Sequence, residues 1–439
     1  MAAKKRGHRF GRIVGILLLA ALILTGGKAL LWGRWNLSGR ASGKVPRVEL
    51  TWEEAMADGE ITGEELAVHY APDILAAVNV LISESGRGDF LAPVDYDGDF
   101  VTLNNWEHVA DHPLEAVVYY SVQETESHWF VGYYFYHPRD DAEIWLDRHE
   151  NDMEGVMLAV RKGGFAPPEV MYTQGHGYVP FYFDDPALTV AEGSRRGGGL
   201  LLDGDRPVLY ITPNGTLSNA GHSVESARDH STYWAVGNSG VRYYHGGVAE
   251  EPATFKGDYE KNPCSYALHS LDELWARRNG PYGDKAVFGS YGAFRGEDYG
   301  TDKANPPWAW RNKTQFGYGS SFLADPAWTV ARAVNGLRDF SFDYESNPYA
   351  DWRVTVEAAR LQPGQTLELS QDGWVLSTED WWLFTPGDDG MTAVSIGDAG
   401  RQSIYVAAGA GSRFSMRIVD EEGRTVPGLI RWQAEYLNR

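Results

Sequence analysis

Beyond about Tyr70 the apolar positions fall into short runs that end at Gly, Asp or Pro. Val117–Val122, Trp129–Tyr136, Gly155–Val160 and Pro207–Thr212 are β-branched or aromatic and too short for ordinary helices, so they predict buried strands. After Tyr344 apolar and polar residues alternate, in Trp352–Glu357, Gln365–Leu369, Ser403–Ala407 and Arg413–Val419. Turns are marked by Pro363-Gly364, Gly373 and Gly423. That pattern predicts a small antiparallel β module over 346–439.

Helices are few. Thr51-Trp-Glu-Glu54 and Thr62-Gly-Glu-Glu65 place a hydroxyl and a carboxylate three residues apart, as a capping box requires. Ser270-Leu-Asp-Glu273 caps a predicted helix over 271–278 that stops at Asn279-Gly280. Asp325-Pro326 opens another, which stops at Asn335-Gly336. The whole reads as mostly β: a β-sandwich core over 66–345 with a few peripheral helices, preceded by a linker with short helices over 34–65.

The first residues differ from the rest. Residues 1–47 hold ten basic side chains and no acidic one, so a chain of net charge −21 carries −31 beyond them. Between Arg12 and Lys28 runs an unbroken apolar stretch, Ile13 to Leu24, which reaches spanning length at Trp32 if Lys28 snorkels. A basic flank before an apolar run reads as a signal-anchor, residues 1–33, with its N-terminus inside. The chain is then membrane-anchored through this helix with its body extracytoplasmic, or secreted if the segment is cleaved.

Composition narrows the options. Sixteen Trp, 24 Tyr and 50 Gly suit a turn-rich β architecture. The single cysteine, Cys264, excludes an internal disulfide and a Cys-rich zinc module. The acidic body argues against nucleic acid as a partner.

Chemistry concentrates in His128–Asp141 and His149–Gly155. An aromatic strand ends at Pro138, a polar loop carries Asp140 and Asp141, and a second strand starts near Asp152. Asp152 and Glu154, two apart in extended chain, share a face, and His149 lies on the incoming loop. Such a set suits a hard divalent cation, Mg²⁺ or Ca²⁺; a half-exposed strand with solvated acids is the plain alternative. Glu124, on an alternating strand before His128, offers a further carboxylate near the pair.

These residues resemble the necrosis- and ethylene-inducing-like proteins, a β-sandwich family with a Pro-Lys-Asp loop followed by Gly-His-Arg-His-Asp-Trp-Glu. Pro138-Arg139-Asp140 is similar to the first element and His149-x-x-Asp152-x-Glu154 to the second. The loop is one residue longer here, so the family's Asp falls on Asp140 or Asp141. Arg148, Asn151 and Met153 replace its Gly, second His and Trp, and its cysteine pair has no counterpart. The resemblance implies a divalent cation that helps to bind glycosylated lipid head groups. Pro207–Ile211, Gly221-His222-Ser223 and Asn305-Pro-Pro-Trp308 resemble more loosely the vacuolar protein sorting-associated protein 62-type family. That likeness makes His222 a candidate either to ligate the ion or to hold one of its ligands.

Other features carry less. Asp95-Tyr-Asp-Gly-Asp99 lacks the Gly and the acid that an EF-hand needs at its sixth and twelfth positions, and reads as a turn. Asn104–His112 reads as a loop, and Gly197-Gly-Gly199 as a flexible one. The expected function is an exported, membrane-anchored protein whose divalent-cation site binds a glycan or lipid head group. A metal-assisted hydrolase of polysaccharide or phosphoester uses the same residues, and a non-catalytic structural envelope protein uses none, so enzymatic activity stays open.

Overall fold

The structure, a computed structural model, describes residues 45–79, 86–141, 148–175, 179–214, 221–227, 239–278, 294, 306–310, 321–359, 362, 364–371, 374–375 and 402–437. The expected signal-anchor, the stop at Asn279-Gly280, Asn305, Pro363 and Gly373 lie outside the described residues. No helix among the described residues is long and apolar enough to cross a membrane.

Both capping boxes form. Thr51 and Thr62 accept from the backbone N–H of Glu54 and Glu65, which reach back to the threonine N–H at 2.9 and 2.8 Å. They open the helices Trp52–Ala55 and Gly63–His69. The strands that follow are β1 (Asp73–Ala77), β2 (Val117–Thr125), β3 (His128–Asp140), β4 (His149–Arg161) and β5 (Val170–Gln174). Next come β6 (Pro180–Tyr182), β7 (Thr189–Val190), β8 (Arg195–Gly198), β9 (Leu202–Asp203) and β10 (Arg206–Ile211). The set continues with β11 (Val224–Ser226), β12 (Gly240–His245), β13 (Pro263–Ser270), β14 (Val334–Asn335) and β15 (Tyr344–Ser346).

Most of these belong to one mixed sheet, in the order β11-β10-β1-β12-β13-β2-β3-β4-β5-β6-β8, with β9 on β10 and β15 on β2. The expected sandwich is thus a single sheet curled on itself, so that β11, at one end, lies against β4 and β5. β3 is buried along its whole length, which explains its near-continuous aromatic run, since a strand covered on both faces has no solvent side to leave polar. Its tyrosines bury rings and still satisfy their hydroxyls: Tyr133 donates to Ala67 O at 2.8 Å and Tyr134 shares a 2.8 Å bond with Ser121.

Some elements differ from expectation. The helix expected over 271–278 covers only Asp272–Trp275. Ser270 remains in the β13 ladder opposite Tyr120, and Arg278 is drawn out to pair with Asp351. The Gly197 segment is not wholly loop, because β8 pairs with β6.

Residues 45–50, the described end of the expected linker, are strapped onto the sheet. Val48 N–H donates to His245 O at 2.9 Å, and the Nε of Arg47 reaches Asp73 at 2.9 Å. Asp73, 1% exposed, also takes Arg242 at 2.8 Å, so one buried carboxylate serves two guanidinium groups. Arg206 closes the strap by bonding Glu49 at 3.0 Å and Val48 O at 2.8 Å.

At the C-terminal end β16 (Trp352–Ala359), β17 (Thr366–Gln371), β18 (Trp374–Val375), β19 (Gln402–Val406), β20 (Phe414–Val419), β21 (Thr425–Val426) and β22 (Ile430–Tyr436) form two small antiparallel sheets, β19-β16-β22 and β18-β17-β20-β21. Val354, Val356, Leu367, Leu369, Ile404 and Ile418 pack between them, joined by Trp328 from the helix Pro326–Ala333.

Candidate metal centre

β3 and β4 pair in register from His128–Arg161 through Phe135–Glu154 and His137–Asp152 to Asp140–His149. Cross-strand neighbours lie about 5 Å apart, so Asp140 and His149 are brought together by the ladder itself. His149 is therefore the first residue of β4 and not a loop residue closing over the site. Asp152 presents a geometric difficulty. Three residues beyond His149 in a regular strand, it would face the opposite side of the sheet.

The backbone resolves this at Asn151, which has φ 58°, in the left-handed region. The ladder passes from His137–Asp152 to Arg139–Glu150 without pairing Pro138 to Asn151, and Pro138 has no N–H to give. The alternation is broken there, and ligand atoms of Asp140, His149 and Asp152 lie within 4.8 Å of one another. All three residues are buried, and Nε2 of His149 is 3.8 Å from Asp140. The Asn151 side chain is held from three sides. It accepts from Tyr136 Oη at 2.5 Å and Asn105 Nδ2 at 3.0 Å, and it donates to Thr102 O at 2.9 Å.

Behind the cluster lies a second layer of buried charge. His222 donates through Nδ1 to Asp152 at 2.8 Å and through Nε2 to Asp89 at 3.0 Å. Burial opposes its charge, yet the hydrogen bonds to Asp152 and Asp89 prevail and hold its pKa up at about 10. His137 stacks on the His222 ring, centroids 3.9 Å apart. Burial and the neighbouring charge of His222 push its own pKa well below the usual imidazole range. Asp89 reaches this position through Gly86 at φ 67°, where a Cβ would lie 2.6 Å from Val78.

The remaining sequence candidates are distributed as follows. Glu154 is buried one alternation further along β4 but lies outside the three-residue cluster. Asp141 is turned toward Arg139, 2.8 Å away, and Arg148. Glu124 pairs opposite Trp129, eleven residues from Asp140 along β3, roughly 36 Å at strand rise. There it binds Lys162 and the Trp129 indole and takes no part in the site. In the Asp95–Asp99 turn Asp97 accepts from His108 at 2.6 Å. The Asn104–His112 segment does more than finish a loop, because Asn105 holds Asn151 and Trp106 stacks on the Arg139 guanidinium. Asp89 and His137 escaped the sequence reading; neither lies in a spacing pattern that marks it.

The donor set fits a hard divalent cation. Two carboxylates and an imidazole converge, and Nδ1 of His149 is buried without a hydrogen-bond partner among the described residues.

No protein-family profile matches the chain and no curated protein does. Among solved structures the chain is similar to one described as a toxin fold for microbial attack and plant defense, with 14% identity over 60% of this chain and 90% of that one, TM-score 0.29. It is similar at 11% identity, the same coverage and TM-score 0.29 to NLPPya in complex with glucosamine. A third, Necrosis and Ethylene inducing Protein 2 from the causal agent of cocoa's Witches Broom disease, is 14% identical over 44% of this chain and 62% of that one, TM-score 0.23. Overlaps this loose speak for neither an activity nor a ligand. Nothing in them supports the likeness to the vacuolar protein sorting-associated protein 62-type family.

Proposed function

We propose that this chain is an exported binding protein, held at a membrane by its N-terminal segment, that captures a glycan or lipid head group through a divalent cation. Asp140, His149 and Asp152 hold the ion, Glu154 stands beside them, and the basic-then-apolar residues 1–33 supply the anchor. The observation that carries the reading is the buried convergence of the three ligand-bearing side chains, two of them carboxylates. When bound, the ion supplies a positive, oxygen-seeking centre that accepts ligand hydroxyl or phosphate oxygens.

Calorimetric titration of the chelator-treated protein with Mg²⁺, Ca²⁺ and Mn²⁺ tests the site. One of these ions is expected to bind stoichiometrically and to lose at least tenfold in affinity in Asp140→Ala and Asp152→Ala. Hexosamines, which a similar structure holds, and phosphorylated head groups are the first ligands to titrate, with and without the ion. Absence of ion binding by the wild type, or unchanged binding in both variants, rejects the proposal.

A further inference from the structure

Two chain connections converge behind the candidate cation site: the one that follows β1 and the one that runs from β10 to β11. Their meeting point is Asp89. Its carboxylate accepts the backbone N–H of Asn79 at 2.8 Å and of Asn214 at 2.7 Å, and takes Nε2 of His222 at 3.0 Å. The other ring nitrogen of His222 reaches Asp152 at 2.8 Å, and the side chains of Asp89 and His222 are fully buried. His222 adopts a left-handed backbone, φ 53°, uncommon for a residue with a Cβ, and lies flat against His137 with an interplanar angle of 7°. Asp152 in turn accepts its neighbour's N–H, Met153, through Oδ1 at 3.0 Å.

We propose that Asp89 and His222 are positioning residues: the Asp89–His222–Asp152 relay fixes the rotamer of Asp152, and cation affinity at the Asp140–His149–Asp152 cluster depends on the bond from His222 Nδ1. The inference rests on the cation reading above. Its physical basis is that a flexible carboxylate loses side-chain freedom when it ligates an ion, whereas one already clamped has lost it in the folded protein. The alternative is a plain structural bridge, in which the same bonds only hold the two connections together. The two accounts differ in whether the nitrogen facing Asp152 matters more to the ion than the nitrogen facing Asp89.

The full-length protein separates them. His222→Asn sets an amide donor where Nδ1 was, and Asn tolerates the left-handed backbone; His222→Gln sets one where Nε2 was. Mg²⁺ and Mn²⁺ affinity is measured by calorimetry, with the Mn²⁺ line shape by electron paramagnetic resonance. Thermal midpoints in chelator report folding apart from the ion. The relay predicts at most a several-fold loss of affinity and a near wild-type line shape for His222→Asn and a loss of about 10–100-fold for His222→Gln, while both lower the chelated midpoint. Asp89→Asn, which leaves His222 in place, is expected to weaken binding several-fold and serves if either 222 variant fails to fold. Equal affinities in the two 222 variants, with ion binding intact in the wild type, overturn the relay alone. A wild type that binds neither of these ions nor Ca²⁺ overturns the cation site, and the relay with it.

Discussion

The left-handed residue inside β4 invites a direct test. Asn151→Ala removes a side chain that makes three buried hydrogen bonds, to Tyr136, Asn105 and Thr102, and leaves their groups without that partner. At about 1 kcal/mol for each bond the loss is roughly 3 kcal/mol. Alanine at φ 58° adds about 1 kcal/mol of backbone strain, for a total near 4 kcal/mol. Asn151→Gly forfeits the same bonds without the strain and is expected to be milder by about 1 kcal/mol. Urea unfolding followed by tryptophan fluorescence measures both, with an unchanged slope showing that only stability has moved. The variants should also weaken Mg²⁺ or Ca²⁺ binding, because relaxing residue 151 toward a regular strand carries Asp152 away from His149. An Asn151→Ala protein within about 1 kcal/mol of the wild type, with normal ion affinity, would show that the kink neither depends on this network nor shapes the site.

Two further outcomes follow from groups outside the site. The hydrogen bond from His128, opposed by burial and aided by Arg161, holds the Glu169 carboxyl at about 2, below its ordinary 4.5. A depressed carboxylate stabilises the fold above pH 4.5 and loses that contribution as pH falls through 2, so Glu169→Gln should be less stable than wild type at pH 7 and converge with it near pH 2 in thermal melts across that range. Burial, reinforced by Glu250 and Glu251, pushes the Cys264 thiol up to about 12, and the residue is 2% exposed. A chromogenic disulfide reagent at pH 8 should therefore leave it untouched in the native protein and react once urea unfolds the chain; rapid native reaction would refute that burial.

Local rules carried far into this fold, and stopped where tertiary contacts decide. The aromatic run in β3 and the two threonine caps are legible because their causes lie within a few residues: pleat alternation, burial on both faces, an orphan N–H. His149, Asp152 and Glu154 stand out for the same reason. The choice between Asp140 and Asp141 is not local. It is made by the register that sets Asp140 opposite His149 and by Arg139 and Arg148, which claim Asp141. Glu124 shows the limit of face arguments, since alternation says which side a residue looks to and nothing about which end of a long strand it occupies. Asn151 was visible only as a departure from a motif. Its left-handed backbone is imposed by Asn105 and Tyr136, some fifty and fifteen positions earlier, and no pattern around residue 151 announces it. Asp89 is hidden for the same reason: its importance comes from loops that meet only once the sheet has curled.

The strap over residues 45–50 gives β1 a mechanical part to play. Its first residue, Asp73, is gripped by Arg47 and Arg242, and just past its last residue the N–H of Asn79 rests on Asp89. Between these grips the chain spans roughly 20 Å, and β1 is hydrogen-bonded on both sides, to β10 and β12. For a chain held by its N-terminus, tension enters at Arg47 and is borne in shear by those two ladders, where many bonds must yield together. Under the proposed anchoring β1 would work as a tie rod, taking the load three strands in from the β11 edge of the sheet, at the end away from the metal-site carboxylates.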